Sequence, residues 1–381
     1  MSAVERELGM AADQRVSPMS GLPPRQYTRR IPRAVGWARK NLFSSLFNTA
    51  LTIIVVALIA YVGTVLFRWS VVDATVSGTS RAACVSDGAC WTFIKTRLPL
   101  FFVGSYPSDQ RWRVGVALGV LIGFAWPVLR ERPVRHRGLW LALLLTACPV
   151  IVGSLLLGGV FGLEYVDTSR WGGLMLDVLI SFVAVAGAIP LGIALALGRR
   201  SDLAVLRGLS IGFIELWRGV PLLTVLFMSA VIVPLLLPNG ISADRLLRAM
   251  IALILFNSAY MAEVIRGGLQ GVPSGQEEAA ASLGMRWWQL QALVVLPQAF
   301  RIALPGIVNT VVDLFKDVTL VTIIGLSDLL GVVHQALKDP AWLGLANEGY
   351  VFAAVVFFIC CFLMSAYSRR LEWRLNTHLR G

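Results

Sequence analysis

Asp313, Lys316 and Asp317 sit near the middle of an otherwise apolar stretch, 302–326, at spacings of three and four. On a helix those spacings put all three on one face. A single charge at the centre of a membrane-spanning helix costs about 2.5–3.5 kcal/mol. Three together, roughly 8–10 kcal/mol before compensation, need partners. Two arrangements supply them: a salt bridge from Lys316 to Asp313 or to a neighbouring helix, or a polar face that lines a route through the membrane. Both can hold at once. The stretch 249–265 adds Asn257, Ser258, Tyr260 and Glu263. Asn257, Tyr260 and Val264 share a face by spacing, and Asn257 and Tyr260 are candidates to line the same route. Glu263 and Arg266, one turn apart, read as a structural ion pair at the rim. Asp177 and Ser181 lie near the outer end of 178–198, where an Asp can reach water. Glu215 and Arg218 read as an ion pair where 219–237 enters the membrane, with Pro221 early in that helix.

Other chemistry is missing. No Lys follows a Gly anywhere, so the phosphate-binding GxxxxGK[ST] loop is not present. His136, His334 and His378 are scattered, no HExxH or paired CxxC occurs, and no nucleophile stands beside a base. Neither a catalytic set nor a metal site is expected.

The elements that position these residues follow from composition. Of 381 residues 56% are hydrophobic and 15% charged, with mean hydropathy +0.71. That exceeds an ordinary soluble composition, and the fold class is an all-α integral membrane protein. Runs at 46–67, 139–161, 178–198, 219–237 and 349–367 are about long enough to cross roughly 30 Å of hydrocarbon. Three weaker segments, 114–129, 249–265 and 302–326, are shorter or interrupted by polar groups, which suits helices facing other helices or a cavity. About eight spans result. With the N-terminus inside, the inside segments hold 22 of the 34 Lys and Arg, which places both termini in the cytoplasm. The net charge of +12 is mostly this topological signal, so nucleic acid is not an expected partner. The 45-residue leader, with Arg29, Arg30, Arg33, Arg39 and Lys40, is too long for a typical cleaved signal, so 46–67 reads as a retained span. Cys148, Cys360 and Cys361 fall inside spans as packing residues. Cys84 and Cys90 share the outside loop 68–113, where a disulfide is permitted but not required.

One polar island stands between two spans: "EEAAASLGMRWWQLQALVVLP", 277–297. Ser274 and Glu277 have the spacing of a capping box, which predicts a helix from about 275. Three alanines carry it and Gly284 ends it in the left-handed conformation. A second, amphipathic helix over 286–296 follows, with Trp287 and Trp288 at the membrane surface, until Pro297 breaks it.

The island resembles the EAA loop of ATP-binding-cassette importer permeases: Glu278-Ala279-Ala280, then Gly284, then Val294 where that pattern has Ile, then Leu296-Pro297. The segments 172–201, 214–227, 259–276 and 314–326 resemble the polar amino-acid branch. The long N-terminal part is similar to the long subunit of general L-amino-acid importers. This resemblance implies a type I (MetI-like) permease core at 172–370, with the coupling loop at 272–297. It is preceded by a cytoplasmic segment 1–45 and additional spans 46–171, and followed by a tail 371–381. It implies coupling residues Glu277, Glu278, Ala279, Ala280, Gly284, Leu296 and Pro297, with the first loop helix in a groove of a separate ATPase. It further implies no cofactor in this chain, ATP-Mg on a dimer of ATP-binding subunits, a second permease subunit, and a periplasmic amino-acid-binding protein. The location implied is a bacterial inner membrane, with lipid around the spans. The substrate implied is an L-amino acid, for whose ammonium and carboxylate a Lys between two Asp is apt. Where the branch usually has Lys-Asp-Thr-Ser, this chain has Lys316-Asp317-Val318-Thr319, one hydroxyl fewer. An ion-driven transporter would use the same intramembrane charges but leave the loop motif an accident. A membrane enzyme or assembly scaffold is a third class, for which no nucleophile-base arrangement is found.

Overall fold

The computed structural model describes residues 33–84, 87–130, 136–160, 162–236, 238 and 243–377. The leader up to residue 32 with Arg29 and Arg30, part of the basic loop at 131–135, and the end of the tail with His378 lie outside them. The chain divides into two units, Met1–Arg68 and Trp69–Gly381.

In the first unit, α1 (Arg33–Asn41) precedes α2 (Leu46–Phe67). The Ser45 hydroxyl accepts the Asn48 N–H at 3.1 Å and starts α2. With 22 residues and no charge, α2 rises about 33 Å, enough for the hydrocarbon layer.

The second unit contains α3 (Trp91–Val103), α4 (Trp112–Leu129), α5 (Arg137–Leu157), α6 (Gly173–Arg199), α7 (Ala204–Gly219), α8 (Leu222–Phe227), α9 (Arg245–Gln270), α10 (Ser274–Ser282), α11 (Trp287–Leu290), α12 (Leu296–Asp317), α13 (Leu329–Ala336) and α14 (Ala346–Thr377). Among the described residues six helices are long and apolar enough to cross a membrane: Leu46–Val72, Ser108–Leu129, Arg137–Leu157, Gly173–Arg199, Arg245–Gln270 and Ala346–Trp373. A seventh exists if α7 and the following Leu222–Leu236, bent by 99°, count as one broken span. The bend falls at Val220-Pro221, where Val220 is extended (ψ 134°), as a residue before proline prefers to be. The remaining expected span, 302–326, is α12 followed by a 3-10 turn, Val318–Ile324. Its length suffices, but Arg301, Asp313, Lys316 and Asp317 make it too polar to qualify by composition.

The centre of this unit is α6 packed along α9, with α12 also packed against α9. Small residues permit the close approach. A Cβ added at Gly187 would fall 2.8 Å from Ile254 Cδ1, one at Gly192 would fall 2.9 Å from Met261 Cβ, and one at Gly268 would fall 2.4 Å from the Ala299 carbonyl oxygen. In the last case helix backbone meets helix backbone, which leaves no side chain to move aside.

At the N-terminal end of α6 the chain is tied to α13. Gly172 and Gly173 bridge to Ser327 and Asp328. Asp328 caps α13, accepting the Gly331 N–H at 2.9 Å and the Leu330 N–H at 3.2 Å. Burial pushes the Asp328 carboxyl up, while those amides and the Thr322 hydroxyl pull against that rise. Asp177, expected at water, is instead fully buried and accepts the Leu329 N–H at 3.0 Å; α13 folds over it. Ser181 is buried as well. Outside this tie, α3 packs Phe93 and Phe101 against Val332, Val333 and Trp342. The Cys90 N–H donates to Glu348 Oε1 at 3.1 Å, Arg97 pairs with Asp339, and Cys84 and Cys90 form the disulfide the sequence left open. Cys148 is buried, and Cys360 and Cys361 are half-buried.

Neighbouring glycines separate packing from helix propensity. Gly268→Ala should lower the thermal unfolding midpoint of the detergent-purified protein, at a cost of about 1–3 kcal/mol for overpacking. Gly267→Ala, whose added Cβ would meet open space, should leave the midpoint unchanged or raise it, with a gain in stability of up to about 1 kcal/mol.

Candidate functional site

The polar island folds as a hairpin whose two arms are unequal. Its first arm, α10, starts after Pro273, and Ser274 already lies within the helix. The expected capping box therefore does not form, because Ser274 is not at the cap position. Glu277 Oε1 instead accepts a hydrogen bond from Arg200 Nη2 at 3.0 Å. At the other end the Gly284 N–H donates to the Ala281 carbonyl at 2.9 Å and the Met285 N–H to the Ala280 carbonyl at 3.3 Å. That pair of bonds requires a left-handed residue, and Gly284 has φ +74°.

Ala280 is buried in the cluster of Ile265, Leu269, Leu290, Val295 and Ala299. Burial of this one small side chain lays α10 on the ends of α9 and α12. Glu278, Ala279 and Leu283 face away, Leu283 at 82% exposure.

The second arm departs from expectation. Instead of a helix ending at Pro297, α11 leads through a π turn, Gln291–Val295, directly into α12, with Pro297 in its first turn. Proline lacks the N–H that α-helical pairing would require and crowds the carbonyl four residues back; a π turn widens the ladder at that place. Helical dihedrals continue through Val295 and Leu296. Leu296 and Pro297 therefore join the hairpin to the helix carrying Asp313, Lys316 and Asp317. Trp287 and Trp288 are both exposed.

On α12, Lys316 Nζ is 2.8 Å from Asp313 Oδ1, and both side chains are more than half exposed. Asp317 is half-buried, and the Thr319 hydroxyl donates to the Lys316 carbonyl at 2.8 Å. Asn257 and Tyr260 are not presented alike. Asn257 is buried and donates to the Leu253 carbonyl of its own helix at 3.0 Å. Tyr260 is exposed, beside Phe256, with the Arg218 guanidinium 5.7 Å from its ring centre.

A charge cluster missed by sequence reasoning lies between α6, α7 and α9. Its hub is Glu263, only 17% exposed, which meets Arg266 at 2.8 Å as expected. It also meets Arg199 of α6 at 2.5 Å and Arg218 of α7 at 3.9 Å. Glu215 does not pair with Arg218: its partner is Arg199, at 3.6 Å. Arg218 is drawn instead to Glu263 and Tyr260. The spacing of Glu215 and Arg218 along one helix could not show this, because the competing groups are distant in sequence. Among the described residues no three His, Cys, Asp or Glu side chains are grouped to hold a metal ion.

Residues 188–377 match the family described as the inner membrane component of binding-protein-dependent transport systems. The chain is 51% identical over 359 residues to the inner membrane amino-acid ABC transporter permease protein YhdY of Escherichia coli K12, covering 93% of this chain and 96% of that one. It is 36% identical over 407 residues to BztC of Rhodobacter capsulatus, a glutamate/glutamine/aspartate/asparagine transport system permease protein, covering 90% and 94%. A solved amino acid ABC transporter crystallised with histidines is 29% identical, covering 53% of this chain and 92% of that one, with a TM-score of 0.47.

The hub predicts unequal costs for two isosteric substitutions. Glu263→Gln, which removes charge-assisted bonds to arginines, should destabilise the detergent-purified protein by about 1.5–3 kcal/mol. Glu215→Gln, on an exposed side chain, should stay within about 1 kcal/mol. Equal shifts in unfolding midpoint would contradict the assignment of Glu263 as hub.

Proposed function

We infer the function from kinship: the chain belongs to the amino-acid ATP-binding-cassette transporter permeases, inner-membrane components of binding-protein-dependent transport systems. It is a membrane-embedded permease subunit that translocates amino acids, and it is not itself an enzyme. ATP is used by a partner ATPase, and a substrate-binding protein completes the importer.

Several finer assignments are our own. Residues 172–370 form the permease core, 1–45 and 371–381 are cytoplasmic segments, and 46–171 supply additional spans with an outside loop at 68–113. Both termini face the cytoplasm of a bacterial cell, a reading supported by the excess of Lys and Arg in the segments assigned inside. A second permease subunit pairs with this one, an ATP-binding dimer docks beneath them, and a periplasmic protein delivers L-amino acids of broad, polar type. No cofactor is held in this chain.

The observation that carries the coupling assignment is the hairpin itself. Glu277 to Ala280 sit on a separate short helix that Gly284 ends, with its outward face exposed, while Leu296 and Pro297 continue into α12. A helix docked into an ATPase groove at Glu278, Ala279 and Leu283 is thereby attached to α9 through Gly271-Val272-Pro273 and, across the Gly284 turn, to α11, which continues into α12. ATP-driven closure then reorients α9 and α12 together. ATP shifts this equilibrium only because the closed ATPase prefers one of the two arrangements. Asp313, Lys316, Asp317, Thr319 and Tyr260 are candidates for the polar surface along which an amino acid passes, with Lys316 opposite its carboxylate and an Asp opposite its ammonium. Asn257, bonded within its own helix, shapes that surface from behind.

Gly284→Val forces a β-branched residue into φ near +74°. With ATPase and binding protein in liposomes, Gly284→Val or Glu278→Lys should lower amino-acid uptake per ATP hydrolysed roughly tenfold, the effect of about 1.4 kcal/mol, while the permease still inserts. Normal coupling in both variants, or uptake by the chain driven by an ion gradient alone, would overturn the assignment.

A further inference from the structure

The proposed docking helix α10 is attached to the core by a third route, which the coupling motif does not contain. Arg199 and Arg200 are consecutive at the end of α6, yet their side chains reach different helices. Arg199 goes to Glu263 on α9 and Glu215 on α7. Arg200 goes to Glu277 in the first turn of α10, at 3.0 Å. The same first turn also touches α12 through Gln276 Oε1 and Gln298 Nε2, at 3.4 Å. Glu277 and Glu278 thus part company: Glu277 turns inward to α6, and Glu278 is exposed.

The far end of α6 is fixed as well. Asp177 receives the Leu329 N–H of α13, and Gly172 and Gly173 bridge to Ser327 and Asp328. Twenty-seven residues of helix, about 40 Å, separate the two attachments. The close packing of Gly187 and Gly192 on α9 keeps α6 from sliding independently. A displacement of α10 that carries Glu277 is therefore felt at Arg200 and, along α6, at α13.

We propose that Arg200 and Glu277 form a positioning strap that ties the ATPase-docking helix to α6, so that α6 carries the motion of the hairpin to α13 at the opposite end of the core. This rests on the coupling reading of α10 and adds to it a route outside the motif. The strap is a partly exposed ion pair, with side chains 39% and 34% exposed. Its contribution is therefore modest and screened by salt.

The test uses the whole importer in liposomes, with ATPase and binding protein, measuring both amino-acid uptake and binding-protein-stimulated ATP hydrolysis. Arg200→Glu and Glu277→Arg should each lower uptake per ATP by about twofold to fivefold, the range an exposed pair supports. Co-purification of the ATPase should be unchanged. Arg200→Lys should retain most coupling, and the exchanged pair Arg200→Glu with Glu277→Arg should regain it. A purely structural role would instead move the unfolding midpoint and leave uptake per ATP alone. The strap is overturned if the single charge reversals couple normally, if the exchange fails to restore coupling, or if Glu277→Arg loses the ATPase, since Glu277 would then face the partner. Gly284→Val, measured in parallel, separates the two readings: if it uncouples while the strap variants do not, only the strap fails, and if it also couples normally, the docking role of α10 fails.

Discussion

Glu263 is a carboxylate held away from bulk water, and a charge so placed must be answered from within the chain. Three arginines answer it, and they come from different helices: Arg199 from α6, Arg218 from α7 and Arg266 from its own α9. Satisfying one group thereby fixes where three helices end relative to one another. Apolar packing alone would not achieve this, because in hydrocarbon a leucine face gains little by choosing a helix over lipid. Close glycine contacts set how near α6, α9 and α12 approach, and the ion cluster sets their alignment along the axis.

That alignment gives the hairpin its mechanical character. Hung from two flexible linkers, α10 could move without consequence. Its second arm is instead a continuation of α12, made possible where a proline that would interrupt an α-helical ladder is met by a π turn. Its first arm is laid down by Ala280 and tied at Glu277. The residues that remain outward, Glu278, Ala279 and Leu283, are those a partner can touch.

At the opposite end of α6 the same principle recurs with backbone amides in place of arginines. Asp177 and Asp328 are both fully buried, and between them they receive the Leu329, Leu330 and Gly331 N–H groups at the start of α13. Around this, α3 adds an aromatic layer, Phe93 and Phe101 against Trp342 and Phe352, locked by the disulfide and by Glu348 on the Cys90 amide. The chain N-terminal to α6 thus contributes a brace for α13 as well as apolar helices.

Much of this was legible beforehand. Apolar runs of about twenty residues in a chain with 15% charge admit one solvent. Gly284 and the alanines before it announce a short helix and its left-handed stop, because propensity and φ are local properties. The Lys316–Asp313 and Glu263–Arg266 pairs lie one turn apart on their helices, so spacing alone could name them. What spacing could not settle was any choice between local and distant partners. Ser274 lost its capping role to the position of Pro273, and Glu277 turned to Arg200. Glu215 and Arg218 separated toward Arg199 and Glu263, and Asp177 went to an amide 152 residues away rather than to water. Local geometry determines which groups can pair, but which of them do so is decided by what the packed helices bring within about 3 Å and by how much water is left between them.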